Sequence, residues 1–185
     1  MNRLGARIYK SNKAYSEARI ILSHQYVNES RIDRKYKDPI IRTRTEKVNV
    51  VNFNADFDKT INDRHQLFYG LDFSFNKVVS EAEKENIDTG EISATTTRYP
   101  DGGSNYSFLA GYVNYLWIIN KKHNLNAGLR YTNTRLQAKL DEQSDPGFEF
   151  EEFRNQNSAI NGSLGWVYRI NGKSKIDLIA SSGFR

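Results

Sequence analysis

The feature that most constrains this chain is a strict two-residue alternation of apolar and polar side chains, broken at intervals by similar short turns. Val51, Phe53, Ala55 and Phe57 share one parity, and Asn52, Asn54, Asp56 and Asp58 hold the other. Successive side chains of a strand point to opposite faces, so this pattern predicts a strand that is apolar on one face only. Leu67, Tyr69, Leu71, Phe73 and Phe75 oppose Gly70, Asp72, Ser74 and Asn76 in the same way, with Phe68 as an exception. So do Leu125, Ala127, Leu129 and Tyr131 against Asn126, Gly128, Arg130 and Thr132. Further on, Ile160, Leu164, Trp166, Tyr168 and Ile170 form one parity, and then Ile176, Leu178, Ala180 and Phe184. Residues 106–119 carry apolar side chains at both parities, and the pattern assigns them no face.

The interruptions repeat. Ile61-Asn62-Asp63-Arg64, Ile119-Asn120-Lys121-Lys122 and Ile170-Asn171-Gly172-Lys173 each place Ile-Asn before two further residues and a new alternating run. Their unequal spacing excludes a solenoid repeat and suits successive hairpins, with Asn171-Gly172 the strongest turn signal. The strands between turns are expected to run about 11 to 16 residues, against the usual 5 or 6 of globular sheets. A strand crossing a bilayer at a tilt of about 45° needs roughly 9 to 11. Short turns near 11–16, 62–65, 120–123 and 171–174 interleave with long loops expected near 31–47, 80–105 and 140–156. That alternation predicts a meander of roughly eight antiparallel strands from a transmembrane β-barrel of the outer-membrane type. Phe57, Trp117, Trp166 and Tyr168 lie close to the short turns, where an interfacial aromatic girdle falls.

Composition agrees with a wall that is apolar on one side. Hydrophobic residues make up 38% of the chain, yet it holds 11 Tyr, 10 Phe and 2 Trp, far too many aromatics for a disordered segment. The run Leu116–Ile119 is much too short for a spanning helix. The chain has no cysteine, which removes disulfides, thiolate nucleophiles and Cys-based metal sites. A net charge of +5 is spread along the chain rather than gathered on a helix face, which argues against nucleic-acid binding. A soluble β-sandwich would use the same aromatics as core, but its strands are shorter and its turns more frequent.

No catalytic constellation emerges, and no cofactor or metal is expected. His24, His65 and His123 lack metal-ligand spacing, and the last two occupy equivalent turn positions. The acidic stretch Asp141-Glu142-Gln143-Ser144-Asp145, followed by Glu149, Glu151 and Glu152, offers hard oxygens but not the spacing of a Ca²⁺ loop. Candidate ligand contacts fall in two groups. Arg34 and Arg42 belong to a basic first loop suited to an anionic ligand or lipopolysaccharide, and Arg98 and Tyr99 are candidates in the second loop. Asn54, Asp56 and Arg130, with Asn52, Asp72, Asn76 and Asn126, sit at the polar parity that would face a barrel lumen.

Four short motifs carry a family resemblance. Gly128-Leu129-Arg130-Tyr131 resembles a strand start of TonB-dependent receptors, and Ser182-Gly183-Phe184-Arg185 resembles the opening of a further segment of theirs. Arg98-Tyr99-Pro100-Asp101-Gly102-Gly103-Ser104 is similar to the loop leading into a strand in the Bacteroidetes-type branch. Gly111-Tyr112-Val113-Asn114-Tyr115 resembles another of their strands, with Asn114 where Gln is usual. The resemblance covers nearly the whole chain. It implies part of a barrel of about 22 strands, with no enzymatic activity, in the outer membrane of a Gram-negative bacterium. Further implied are active uptake of a scarce nutrient (siderophore, haem, cobalamin or glycan), a plug domain elsewhere in the same protein, and coupling through it to TonB. Nothing in residues 1–185 resembles the plug or the strands that close such a barrel. Another outer-membrane barrel, a porin or adhesin, and a soluble all-β binding module are the alternatives.

Overall fold

The computed structural model describes residues 1–140 and 152–183. Its strands are β1 (Asn2–Ile8), β2 (Glu17–Arg34), β3 (Ile40–Asn62), β4 (His65–Asn86), β5 (Glu91–Ala94), β6 (Ser104–Ile118), β7 (His123–Lys139), β8 (Glu152–Arg169) and β9 (Lys175–Ser181). Eight of them form one antiparallel sheet in the order β1-β2-β3-β4-β6-β7-β8-β9, and β5 pairs with the far end of β4. All-β architecture, meander topology and strand count follow the expectation from alternation, with β5 as an unforeseen addition.

Strand lengths correct that expectation. β2 has 18 residues, β3 has 23 and β4 has 22, well past the lengths read from the alternating runs. The extra length comes from segments expected as loop. The first long loop shrinks to residues 35–39, so Arg31, Arg34, Arg42, Arg44 and Lys47 lie on strands. Their backbone is ladder-bonded because charged side chains alternate without hindrance when neither face of a strand meets lipid, a condition that hides the strand from an apolar-periodicity reading. The second long loop is likewise interrupted by β5, reached through a turn in which Gly90 takes φ 72° and its N–H bonds the Asn86 carbonyl at 2.7 Å. The acidic stretch 141–151 and the residues Phe184 and Arg185 fall outside the described residues.

The short turns share one device. The side-chain Oδ1 of Asn12 accepts the N–H groups of Ala14 and Tyr15, and Asn62 accepts that of Arg64. Asn120 accepts from Lys122 and His123, and Asn171 from Lys173 and Ser174. Each asparagine thus satisfies backbone donors that the ladder leaves free at the bend. Ile61 is left over as an irregularity in the β3–β4 ladder between Thr60 and Asn62.

Register sorts the side chains into two faces. One apolar row crosses the sheet as Ala18, Phe57, Tyr69, Val113, Leu129 and Gly162. Another runs Trp117, Leu125, Trp166 and Leu178. Pairing with β4 and β7 settles the ambiguous residues 106–119: Leu109, Gly111, Val113, Tyr115 and Trp117 join the apolar face, and Tyr112 and Asn114 the polar one. Among the described residues no second sheet packs on either face, and the only buried apolar residues are Ala18, Ala55, Ala110 and Ala138. Leu129 stays 58% exposed and Ile160 72%. A soluble sandwich would cover such residues with a second sheet; here the apolar face has no protein partner within the sheet.

The apolar face is a band of limited height. On β4 it runs from Leu67 to Phe75, which matches the roughly 9 to 11 residues of a tilted bilayer crossing. Beyond it the same face turns polar: Leu109 is followed across the sheet by Asn133 and Ser158, and Phe75 by Ser107, Arg135 and Gln156. Small residues within the band, Ala127, Gly162 and Ala180, leave a shallow trough of about 680 Å³ between Val113, Leu129 and Leu164.

Candidate functional site

At the level of the apolar band, charged side chains of the polar face pair across the strands. Arg19, Asp56, Gly70, Tyr112, Arg130 and Asn161 form one row across six strands, and Ile21, Asn54, Asp72, Ala110, Thr132 and Ala159 form the next. Arg19 Nη2 meets Asp56 Oδ2 at 2.7 Å, and the Tyr112 hydroxyl donates to Asp56 Oδ1 at 2.6 Å. Arg130 Nη2 meets Asp72 Oδ2 at 3.0 Å, and the Asn54 amide donates to the other oxygen of Asp72. The Arg130 guanidinium lies 5.9 Å from the centre of the Tyr112 ring, which links the two halves.

Gly70 makes the crossing possible. Tyr112 stands one strand away from Gly70 and two from Asp56, so its ring must pass over the intervening position. A Cβ at residue 70 would lie 2.5 Å from the Ala55 carbonyl oxygen and 2.7 Å from the Tyr112 hydroxyl. Only a residue without a side chain leaves that lane open.

The sequence-predicted candidates therefore separate. Asn54, Asp56 and Arg130 come together in one bonded network with Asp72. Tyr112, Gly70 and Arg19 belong to it but were not singled out, because both parities of β6 are apolar and glycine carries no chemical signal of its own.

Arg34, Arg42, Arg98 and Tyr99 lie far along the strands from this network. Arg42 and Asn54 are twelve positions apart on β3, roughly 40 Å at about 3.3 Å per residue. Arg42 is on the polar face opposite Lys84 and Asp33, whereas Arg34 has the parity of the other face. The segment 95–103 folds back on the polar face here. Arg44 Nε donates to the Thr96 carbonyl at 3.2 Å, and the Tyr99 N–H to Ser80 Oγ at 3.5 Å. Ser80 and Glu46, paired across β3 and β4, are buried beneath it. Arg98 caps the Tyr99 ring at 5.7 Å, and Gly103, with φ 94°, leads the chain into β6. On the apolar parity at this level Lys47 donates to Glu81 at 2.9 Å, a bond that raises the ammonium pKa.

Two of the three histidines are placed as aromatics, and His24 meets the Asn49 side chain at 3.3 Å. His65 stacks on Tyr115 and Trp117 with centroids at 5.8 and 6.0 Å, and His123 stacks on Trp166 and Tyr168 at 5.6 and 4.7 Å. Phe57 stacks on Tyr69 at 5.1 Å, and the Tyr69 hydroxyl donates to the Ala14 carbonyl of the first short turn. These rings line the short-turn edge of the apolar band, where the sequence placed an interfacial girdle. Among the described residues no cluster of three or more metal-ligating side chains forms.

Comparison with known proteins follows the same lines. Nearly the whole chain, 97%, superposes on 29% of the copper transporter OprC with a TM-score of 0.74 at 12% identity. The ferric yersiniabactin uptake receptor FyuA from Yersinia pestis matches 96% of the chain with 26% of its own length, a TM-score of 0.68 and 11% identity. The chain thus spans less than a third of either protein, and at such identities the likeness is one of fold. Among curated proteins none matches the sequence. The model of the outer membrane protein β-barrel family matches residues 6–164, across the first three short turns, most of the apolar band and the charged network, and the chain belongs to that family.

Proposed function

We propose that this chain is a section of the barrel wall of a TonB-dependent receptor, which takes up a scarce nutrient across the outer membrane of a Gram-negative bacterium. The observation that carries this reading is the charged, cross-bonded polar face at mid-band. A passive wall could leave that level to water, whereas fixed ion pairs around Asp56 and Asp72 give a lumen-filling plug domain a rigid polar surface to seat against. The near-complete superposition on segments of a copper transporter and a ferric siderophore receptor supports it.

In this reading the apolar band meets lipid, the short turns face the periplasm and the far strand ends stand outside the cell. Arg42, Arg98 and Tyr99 belong to the outer vestibule where an anionic nutrient complex first docks, and Arg34 stands at the same height on the outward face. Asn54, Asp56 and Arg130 face the plug or the transport path. The protein moves its ligand without chemical conversion, using energy delivered through the plug by TonB, and the section alone transports nothing.

The test uses the full-length protein in its host under nutrient limitation. Accumulation of the nutrient is expected to disappear both on deletion of the gene and on deletion of TonB, and the purified protein is expected to show no steady conductance in planar bilayers. A TonB-independent, ohmic conductance would identify a porin wall instead.

A further inference from the structure

The cations of this chain concentrate at one rim of the wall. Residues 9–16, 59–65, 119–124 and 169–177 hold nine Lys and Arg side chains and two carboxylates, Asp63 and Asp177, which leaves 18 cations against 20 carboxylates elsewhere. Asp177 is taken by Lys175 at 2.7 Å. The asparagine-bonded turns hold their tips in one repeated form, and each tip presents a cation at the first or second residue after the asparagine: Lys13, Arg64, Lys121 with Lys122, and Lys173. Neighbouring turns are two strands apart, about 10 Å along the sheet, so the cations form a regular row. Directly inside that row, on the lipid-facing side, sit the stacked rings of His65, Trp117, His123, Trp166 and Tyr168. Indole and imidazole at this depth belong to the headgroup layer.

We propose that the short-turn rim is a binding surface for the phosphodiester headgroups of anionic phospholipids such as phosphatidylglycerol in the inner leaflet of the outer membrane. The rings fix the height of the wall in the bilayer, and the turn cations at that height meet headgroup phosphates. A cation near an anionic surface strengthens attraction by about fivefold, and the effect fades within a Debye length of about 10 Å. The cations at the opposite strand ends are interleaved with Asp33, Glu46, Glu81 and Glu83 and lack this one-signed character. The inference rests on the orientation proposed above, with the short turns periplasmic.

The test is lipid selectivity of the full-length protein in vesicles of phosphatidylcholine, read by electron spin resonance with spin-labelled phosphatidylglycerol and phosphatidylcholine. The unmodified protein is expected to prefer the anionic label several-fold, and about 0.5 M salt to weaken that preference. Replacing Lys13, Arg64, Lys121, Lys122 and Lys173 by Gln is expected to abolish it, and replacing Arg31, Lys35, Lys37, Lys47 and Lys77 by Gln to leave it intact. Equal selectivity in the rim variant and the unmodified protein overturns the proposal. Orientation is read separately with Gly172→Cys, a position open to solvent. It is expected to escape a membrane-impermeant maleimide in intact cells and to react after permeabilisation; labelling of intact cells also overturns the proposal. Neither measurement involves nutrient or TonB, so failure of the uptake assay leaves these results standing.

Discussion

At the scale of single residues, the network on the polar face depends on a side chain that is missing. Gly70 provides the lane through which Tyr112 reaches Asp56, and a methyl group there collides with both the Ala55 carbonyl and the phenol. Gly70→Ala is expected to expel Tyr112 and destabilise the folded barrel by about 1–3 kcal/mol, measured by urea unfolding of the full-length protein in lipid vesicles. Tyr112→Phe keeps the ring and removes only the bond to Asp56. Because both groups are partly open to solvent, its cost is expected to be about 1 kcal/mol, below the roughly 1.5–3 kcal/mol of a hydrogen bond to a charged group. A Tyr112→Phe penalty equal to that of Gly70→Ala would mean that the lane itself is unimportant. The carboxylates and Arg130 were legible from parity alone, since polar residues alternating with Phe and Leu must face away from lipid. Tyr112 was not, because an aromatic phenol is compatible with either face and only pairing with β4 and β7 assigns it.

At the scale of elements, the turns were the most legible part of the fold and the strand ends the least. Ile-Asn followed by two further residues marks a bend because the asparagine carbonyl takes over backbone donors, as it does at Asn120 for Lys122 and His123. Asn120→Ala is expected to cost about 1 kcal/mol and to slow hairpin formation, read as slower recovery of the heat-modifiable folded band on refolding into vesicles. The strand ends beyond the band escape an alternation reading, since residues 40–47 and 77–86 have water on one face and the polar segment 95–103 on part of the other, and neither parity needs to be apolar. The edge of the band is testable with charge. Leu71→Arg, at its centre, is expected to destabilise the folded protein by about 2–4 kcal/mol, and Asn133→Arg, on the same face past its edge, by no more than about 1 kcal/mol. Equal penalties would contradict a bilayer at this level.

At the scale of the whole molecule, the sheet of the described residues ends in β1 and β9, and among those residues both edges keep unpaired backbone groups and the apolar face has no cover. Residues 1–185 expressed alone are expected to associate or to require detergent, as seen by sedimentation, because edge pairing and burial of Leu129, Ile160 and Leu178 would otherwise go unmet. A cooperatively unfolding monomer in plain buffer would refute the barrel-wall reading. The strand register also gives the wall an uneven height. The β3–β4 ladder continues to Ile40 and Asn86, while β6 joins β4 only at Ser104 opposite Val78. Eight further residues of paired strand amount to roughly 25 Å along the strand direction. In the proposed orientation this forms a parapet on one side of the mouth, stiff because its ladder is unbroken. A solute drifting over the cell surface from that side meets a screen of charged strand before any loop. On the proposed reading, a solute arriving over β3 and β4 is met by that screen first, and the direction of approach becomes part of what is selected.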